Sequence, residues 1–203
     1  MAATLANISD KKKLNNWFKA EISTVITKKC VQIYVESEIE TFQRHCLFSI
    51  QCTRHGRTHY LSCLECKTKI SKTFRHDIKN AHYYGNPSFE NTNETEWGIN
   101  AWEIAKCYMP PDGYKDKNSA ADTDFNGIIN VAINFKPICL NIDMEVFERA
   151  RGAVNKLRHS PSKEMEDTDL QDHVVAMKDV LINIQKHYAN KDDAQDALKR
   201  LDE

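Results

Sequence analysis

Apolar residues recur at steps of three and four along most of this chain, the spacing that lines one side of a helix. Near the start Leu14, Trp17, Phe18, Ile22, Val25 and Ile26 form such a face behind the candidate caps Ser9 and Asp10. Ser37-Glu38-Ile39-Glu40 has the capping-box form, with Ile39, Phe42, Cys46 and Ile50 continuing an apolar face behind it, so the pattern predicts two or three helices before residue 50. Ile70, Phe74 and Ile78 predict a short helix over Lys67 to Lys79. Ile99, Trp102, Ile104, Ala105 and Tyr108 predict a mostly buried one that stops before Pro110.

Phe125 to Phe135 is apolar on most sides and ends at Pro137, which fits a buried helix better than a strand. Val146, Phe147, Ala150, Ala153, Val154 and Leu157 make a broad stripe ended by Ser160-Pro161. A second capping box, Thr168-Asp169-Leu170-Gln171, opens a helix carrying Val174, Met177, Leu181, Ile184 and Tyr188 on one face. Asp192 to Leu201 adds a turn or two in a tail, 192–203, expected to fray. Gly85 to Glu96 and Pro110 to Asp124 are rich in turn residues and read as loops. The sum is a mainly α fold, a helical bundle over residues 1–203, interrupted by a Cys/His-rich basic insert at 51–84.

Composition supports one core: 41% of the 203 residues are hydrophobic, 28% are charged, and Gly and Pro together number 11, which excludes disordered and fibrous classes. No stretch approaches the ~20 apolar residues of a membrane helix, and no apolar leader opens the chain, so the expected setting is intracellular, cytoplasmic or nuclear, without membrane association. In that setting seven cysteines point to buried, metal-bound or reactive thiols rather than disulfides.

Charge is uneven. Between Arg54 and Lys79 seven basic residues (Arg54, Arg57, Lys67, Lys69, Lys72, Arg75, Lys79) face two acidic ones, Glu65 and Asp77, whereas from Glu164 onward eleven acidic residues outnumber five basic ones. The cationic run interleaves with Tyr60, Phe74, Tyr83 and Tyr84, the mixture expected where phosphates are touched and bases stacked; a solvated face around a metal site would look much the same.

Two groups of residues carry candidate chemistry. Cys52-x10-Cys63-x2-Cys66 can place three thiolates on one zinc ion, which needs a fourth ligand. The candidates are His76 first, then His82, with His55 and His59 behind them; free thiols and a redox pair are the alternatives. Cys30, Cys46, Cys107 and Cys139 sit among apolar neighbours and read as core. Arg151, Asn155 and His159 are spaced four apart on one side of a helix, away from its apolar stripe. A guanidinium beside an imidazole can hold a phosphate and move a proton, although an ordinary solvated face has the same spacing.

The string Val154-Asn155-Lys156-Leu157-Arg158-His159-Ser160-Pro161-Ser162, with the capped helix after it, resembles the end of a HEPN domain (higher eukaryotes and prokaryotes nucleotide-binding) of the variety found in the DAZ-interacting zinc-finger ubiquitin ligase. Asn16-Trp17-Phe18-Lys19-Ala20 and Ala101-Trp102-Glu103-Ile104-Ala105-Lys106-Cys107-Tyr108-Met109-Pro110 resemble the uncharacterised family named after chromosome X open reading frame thirty-eight. That family's pattern carries a Cys-x10-Cys-x2-Cys segment followed by His between those stretches, matching Cys52, Cys63, Cys66 and His76.

The resemblance implies a HEPN-like bundle, often dimeric, whose active members cleave RNA with an Arg and a His four to six residues apart. Here Val154 stands where that Arg is expected, so the resemblance implies a non-catalytic RNA-binding or nucleic-acid-associated regulator with a structural zinc site, acting as a homodimer or within a complex. Arg158 joins the cations of the insert as a candidate nucleic-acid contact. Two other readings stay open: a metal-independent endoribonuclease using His159 with Arg151 or Arg158, and an interaction or dimerisation scaffold that binds no nucleic acid.

Overall fold

A computed structural model describes residues 2–59, 62–188 and 191–202, with side chains from Asp10 onward. The helices are α1 (Ala2–Ser49), α2 (Leu64–Ala81), α3 (Ala101–Ala105), α4 (Phe125–Asn134), α5 (Lys136–Cys139), α6 (Met144–Arg158), α7 (Asp167–His187) and α8 (Asp192–Asp202). Short 3₁₀ turns lie at Glu94–Glu96 and Lys106–Tyr108. The protein is mainly α-helical, and the described residues include no strand, only the isolated bridges Cys52–Gly56 and His82–Phe135. No helix among them is long and apolar enough to cross a membrane.

The chain divides into two compact units, Met1–Val31 with Ile142–Glu203, and Gln32–Asn141. In the first, α6 packs on α7 and α7 on α8. Ala20 of α1, Leu157 and Met165 form a buried cluster, with Trp17 and Leu170 against it. Polar groups fix the register: Asn16 Nδ2 donates to Met165 O (3.2 Å) and to Asp167 Oδ1 (2.8 Å), and Trp17 Nε1 donates to Leu157 O. Lys12 pairs with Asp167, whose carboxyl is thereby held below its ordinary range.

The capping box expected at Thr168 does not form. The helix begins two residues earlier, with Glu166 in the capping position and Asp167 held from α1 instead. Asp192–Asp202 runs as a helix that buries Ala194 and Ala197.

His173 is buried beside α1, its Nε2 2.9 Å from Thr24 Oγ1. The Thr24 hydroxyl donates to Ala20 O, which leaves its oxygen to accept from His173 Nε2–H. Burial pushes the imidazole pKa below 6.5. The folded state then binds fewer protons than the unfolded state in acid, so stability should be level above about pH 6.5 and fall as pH drops below it. Urea midpoints of wild type and His173→Gln across pH 5–8 test this, the variant having the flatter profile in acid.

In the second unit, Ile39 of α1, Phe74 and Ile78 of α2, Trp97, Ile104, Tyr108, Ile128, Val131 and Phe135 are buried together as core. Phe74 and Trp97 stack with centroids 6.1 Å apart, and Gln43 of α1 donates to Trp97 O at 2.8 Å. Asp124 caps α4 by accepting from Gly127 N. The Ser37–Glu40 capping box lies inside α1 and ends nothing, because no Gly or Pro between residues 1 and 55 interrupts the helix.

Candidate metal centre

The turn after α1 is tightened by a reciprocal pair of backbone bonds, Cys52 N to Gly56 O at 2.7 Å and Gly56 N to Cys52 O at 2.9 Å. Gly56 has φ +61°, a conformation that glycine adopts without steric cost, so the chain reverses within five residues. This reversal places His55 beside Cys52. Cys63 then takes the N-cap position of α2 and Cys66 lies in its first turn, so both thiols sit at the end where backbone N–H groups point outward.

The result is one group: a sulfur or nitrogen from each of Cys52, His55, Cys63 and Cys66 lies within 4.8 Å of all the others. His55 Nδ1 is 3.4 Å from Cys52 Sγ and 3.6 Å from Cys66 Sγ. Cys52 and Cys66 are buried, while His55 and Cys63 are half-buried. Four soft or borderline donors converging in this way could hold a metal ion.

The electrostatics differ across the cluster. The Cys63 thiol is lowered from its usual value, first by the Cys66 backbone N–H at the helix start, while burial raises Cys52. Glu65 supports the turn from α2. Its carboxylate accepts from Thr53 N at 3.0 Å and lies 3.4 Å from Cys52 Sγ. Lys69, 2.8 Å away, holds Glu65 well below the ordinary carboxylate range and also donates to Gln51 O at 2.7 Å.

The three thiols expected to share a site come together, but the fourth member is His55. His76, expected first, projects from an exposed face of α2 with Nδ1 2.9 Å from Asp77 Oδ1 and Asn80 beside it. His82, the alternative, is buried at the C-cap of α2, stacked on Tyr108 with Nδ1 accepting from Tyr84 N. His59 is tied to Leu47 O at 3.1 Å. Cys52-x2-His55 repeats the spacing of Cys63-x2-Cys66, and that pair of matching knuckles is the signal that would have singled out His55. Cys30, Cys46 and Cys107 are buried and their pKa values are pushed up to about 12, with Cys139 half-buried and up to about 11, mainly by loss of water in each case.

The basic residues sort by partner. Lys69 is paired with Glu65 and Arg75 with Glu94, and the Arg57 guanidinium lies 4.2 Å over the Phe48 ring. Arg54, Arg57, Lys67, Lys72 and Lys79 are exposed. Lys67, Lys72 and Arg75 line one cleft of about 730 Å³ beside α2, together with Ile70, Ser71, Thr95 and Glu94, the partner of Arg75. Of the interleaved aromatics, Tyr83 and Tyr84 are exposed and edge-to-face at 5.0 Å, whereas Phe74 is core and cannot stack a base. Tyr60 lies outside the described residues.

On α6, Arg151 and Asn155 are half-buried, Arg158 is exposed, and His159 is the exposed C-cap residue. Val154 is buried in the core.

These features define a helical protein with a Cys₃His cluster at the start of a cationic helix. The chain belongs to the family described as a domain of unknown function, DUF4559, whose profile matches residues 8–203. It is 21% identical over 179 residues to the mouse (Mus musculus) protein titled "Uncharacterized protein CXorf38 homolog", an alignment covering 82% of this chain and 54% of the relative. The chain thus spans about half the length of that relative. No solved structure matches it.

Proposed function

We propose that the chain is a non-catalytic RNA-binding protein in which zinc, held by Cys52, His55, Cys63 and Cys66, fixes the 50–66 segment against the start of α2. In a tetrahedral zinc site a thiolate sulfur and an imidazole nitrogen lie about 3.6 Å apart, and the distances from His55 to Cys52 and Cys66 are 3.4 and 3.6 Å. Three thiolates and one imidazole close the coordination sphere, the arrangement of a structural rather than a catalytic ion. Zinc would supply cross-linking there, and Glu65 with Lys69 would hold the turn in place around it.

The observation that carries the RNA reading is the cleft beside α2, where the exposed Lys67 and Lys72 flank the Arg75–Glu94 pair. Lysines and arginines along a groove neutralise phosphates, and the exposed Tyr83 and Tyr84 at the end of the same helix offer faces for bases. The HEPN resemblance points the same way and also argues against cleavage. Where an active member has its phosphate-stabilising Arg, this chain has Val154, and that position is buried.

Fluorescence anisotropy with a labelled mixed-sequence single-stranded RNA across a salt series tests the reading. Affinity should fall steadily with log salt, by about 0.7 log units per log unit of salt for each phosphate contacted. Lys72→Ala should weaken binding to all sequences alike and reduce that slope by nearly one contact, and Tyr83→Ala should cost about 1–3 kcal/mol. Absence of binding at low salt would remove RNA as the ligand.

A further inference from the structure

The first part of α1 exposes the side its sequence would bury. Leu14, Phe18, Ile22 and Val25 are 38, 50, 58 and 63% exposed, while Asn16, Ser23, Thr24 and Thr27 are buried. Steps of four, four and three keep the apolar residues on one continuous stripe. The rotation of the helix is fixed from the buried side by bonds to other elements: Asn16 to Met165 and Asp167, Trp17 to Leu157, and Thr24 to His173. Turning the helix to hide the stripe would break all of these, so its exposure is built into the unit. Contiguous apolar surface of this kind marks an interaction site.

We propose that this stripe docks an amphipathic helix of another protein that carries acidic side chains near both of its ends. Lys11, three residues before Leu14, and Lys29, four after Val25, are exposed and fall on the same stripe, closing it with a positive charge at each end. A second copy of the chain fits poorly. Antiparallel pairing that sets Phe18 against Ile22 brings Lys11 of one copy onto Lys29 of the other, and parallel pairing sets each lysine on its counterpart. Either way both ends repel. A partner with Asp or Glu at those places turns both contacts into attractions, and the stripe is about 27 Å long from Lys11 to Lys29, room for five turns of helix.

A phage-displayed library of helical peptides, panned against the intact chain, gives the test. Enriched peptides should carry an apolar i, i+3/i+4, i+7 face with Asp or Glu at both ends. A synthetic copy of one should bind at least tenfold more weakly to Phe18→Glu and to Ile22→Glu, whose far-UV circular dichroism should match wild type because both positions face solvent. Lys11→Glu with Lys29→Glu leaves the apolar stripe intact and should also weaken binding at least tenfold; it decides the matter if either stripe variant fails to fold.

Three results would overturn the proposal. One is enriched peptides that lack acidic ends or bind all variants equally. Another is a concentration-dependent dimer in sedimentation that Phe18→Glu abolishes. The third is recruitment to phosphatidylcholine–phosphatidylserine vesicles that depends on the same residues.

Discussion

Chelation of zinc is expected to free the segment between α1 and α2 and lower the stability of the unit that contains it. Among the described residues of 50–66 the other ties are few and mostly at the surface, including His59 to Leu47 O, Lys69 to Gln51 O and Arg57 over Phe48. The Cys52–Gly56 bond pair closes one turn, Glu65 grips Thr53, and the buried side chains among the described residues are Ile50 and the proposed ligands Cys52 and Cys66. Structural zinc in small peptides contributes about 10–16 kcal/mol of apparent binding free energy at neutral pH, far more than one turn and an exposed ion pair. Native mass spectrometry should therefore find one zinc per chain. Cys63→Ser, Cys66→Ser and His55→Ala should each weaken the metal by more than the 10–100-fold typical of a supporting residue. His76→Ala should leave it bound. The chelated protein should become sensitive to proteases between residues 53 and 62 while α6 and α7 stay protected. A chain that keeps its zinc without His55 but loses it without His76 would refute the ligand assignment.

The histidine contrast also marks where the sequence becomes hard to read. Three cysteines at fixed spacing are legible because few other arrangements use them, whereas a fourth ligand among several histidines depends on which way a short turn bends. Gly56 decides that by letting the chain reverse and bring His55 back to Cys52. The same division holds for the helices. The stripes of α6 and α7 face cores in the way their apolar spacing implies, with Phe147, Ala150, Val154, Leu157, Met177, Leu181 and Ile184 buried. In α1 the spacing is equally regular and yet Phe18 and Ile22 are exposed, because the buried side is chosen by long-range bonds from Asn16 and Thr24 that no local pattern contains. A capping box is also only a local invitation: Ser37-Glu38-Ile39-Glu40 begins nothing when the preceding turns are already helical.

Breaking the buried Glu103–Lys106 pair is expected to cost the second unit about 3–5 kcal/mol. The two side chains are 6% and 2% exposed and 2.6 Å apart, among the least accessible charges in the chain. Each also satisfies a loop: Glu103 Oε2 accepts from Asn93 N at 2.7 Å, and Lys106 Nζ donates to Lys115 O at 3.0 Å. The pair thus fastens the residue that caps the Glu94–Glu96 turn and, beyond the Lys106–Tyr108 turn, the irregular stretch around Lys115. Removing one partner leaves the other as an uncompensated charge in a dry interior, a larger loss than the attraction itself. Lys106→Met strands the Glu103 carboxylate, and Glu103→Gln strands the ammonium. The double variant strands neither charge and should lose clearly less than the two single losses added together. Urea unfolding in a Trp17→Phe background, followed through the emission of Trp97 and Trp102, both in this unit, measures all four proteins. Single variants that lose less than about 1 kcal/mol, as an exposed pair would, or a double variant whose loss equals the sum, would show that the pair does not fasten these loops.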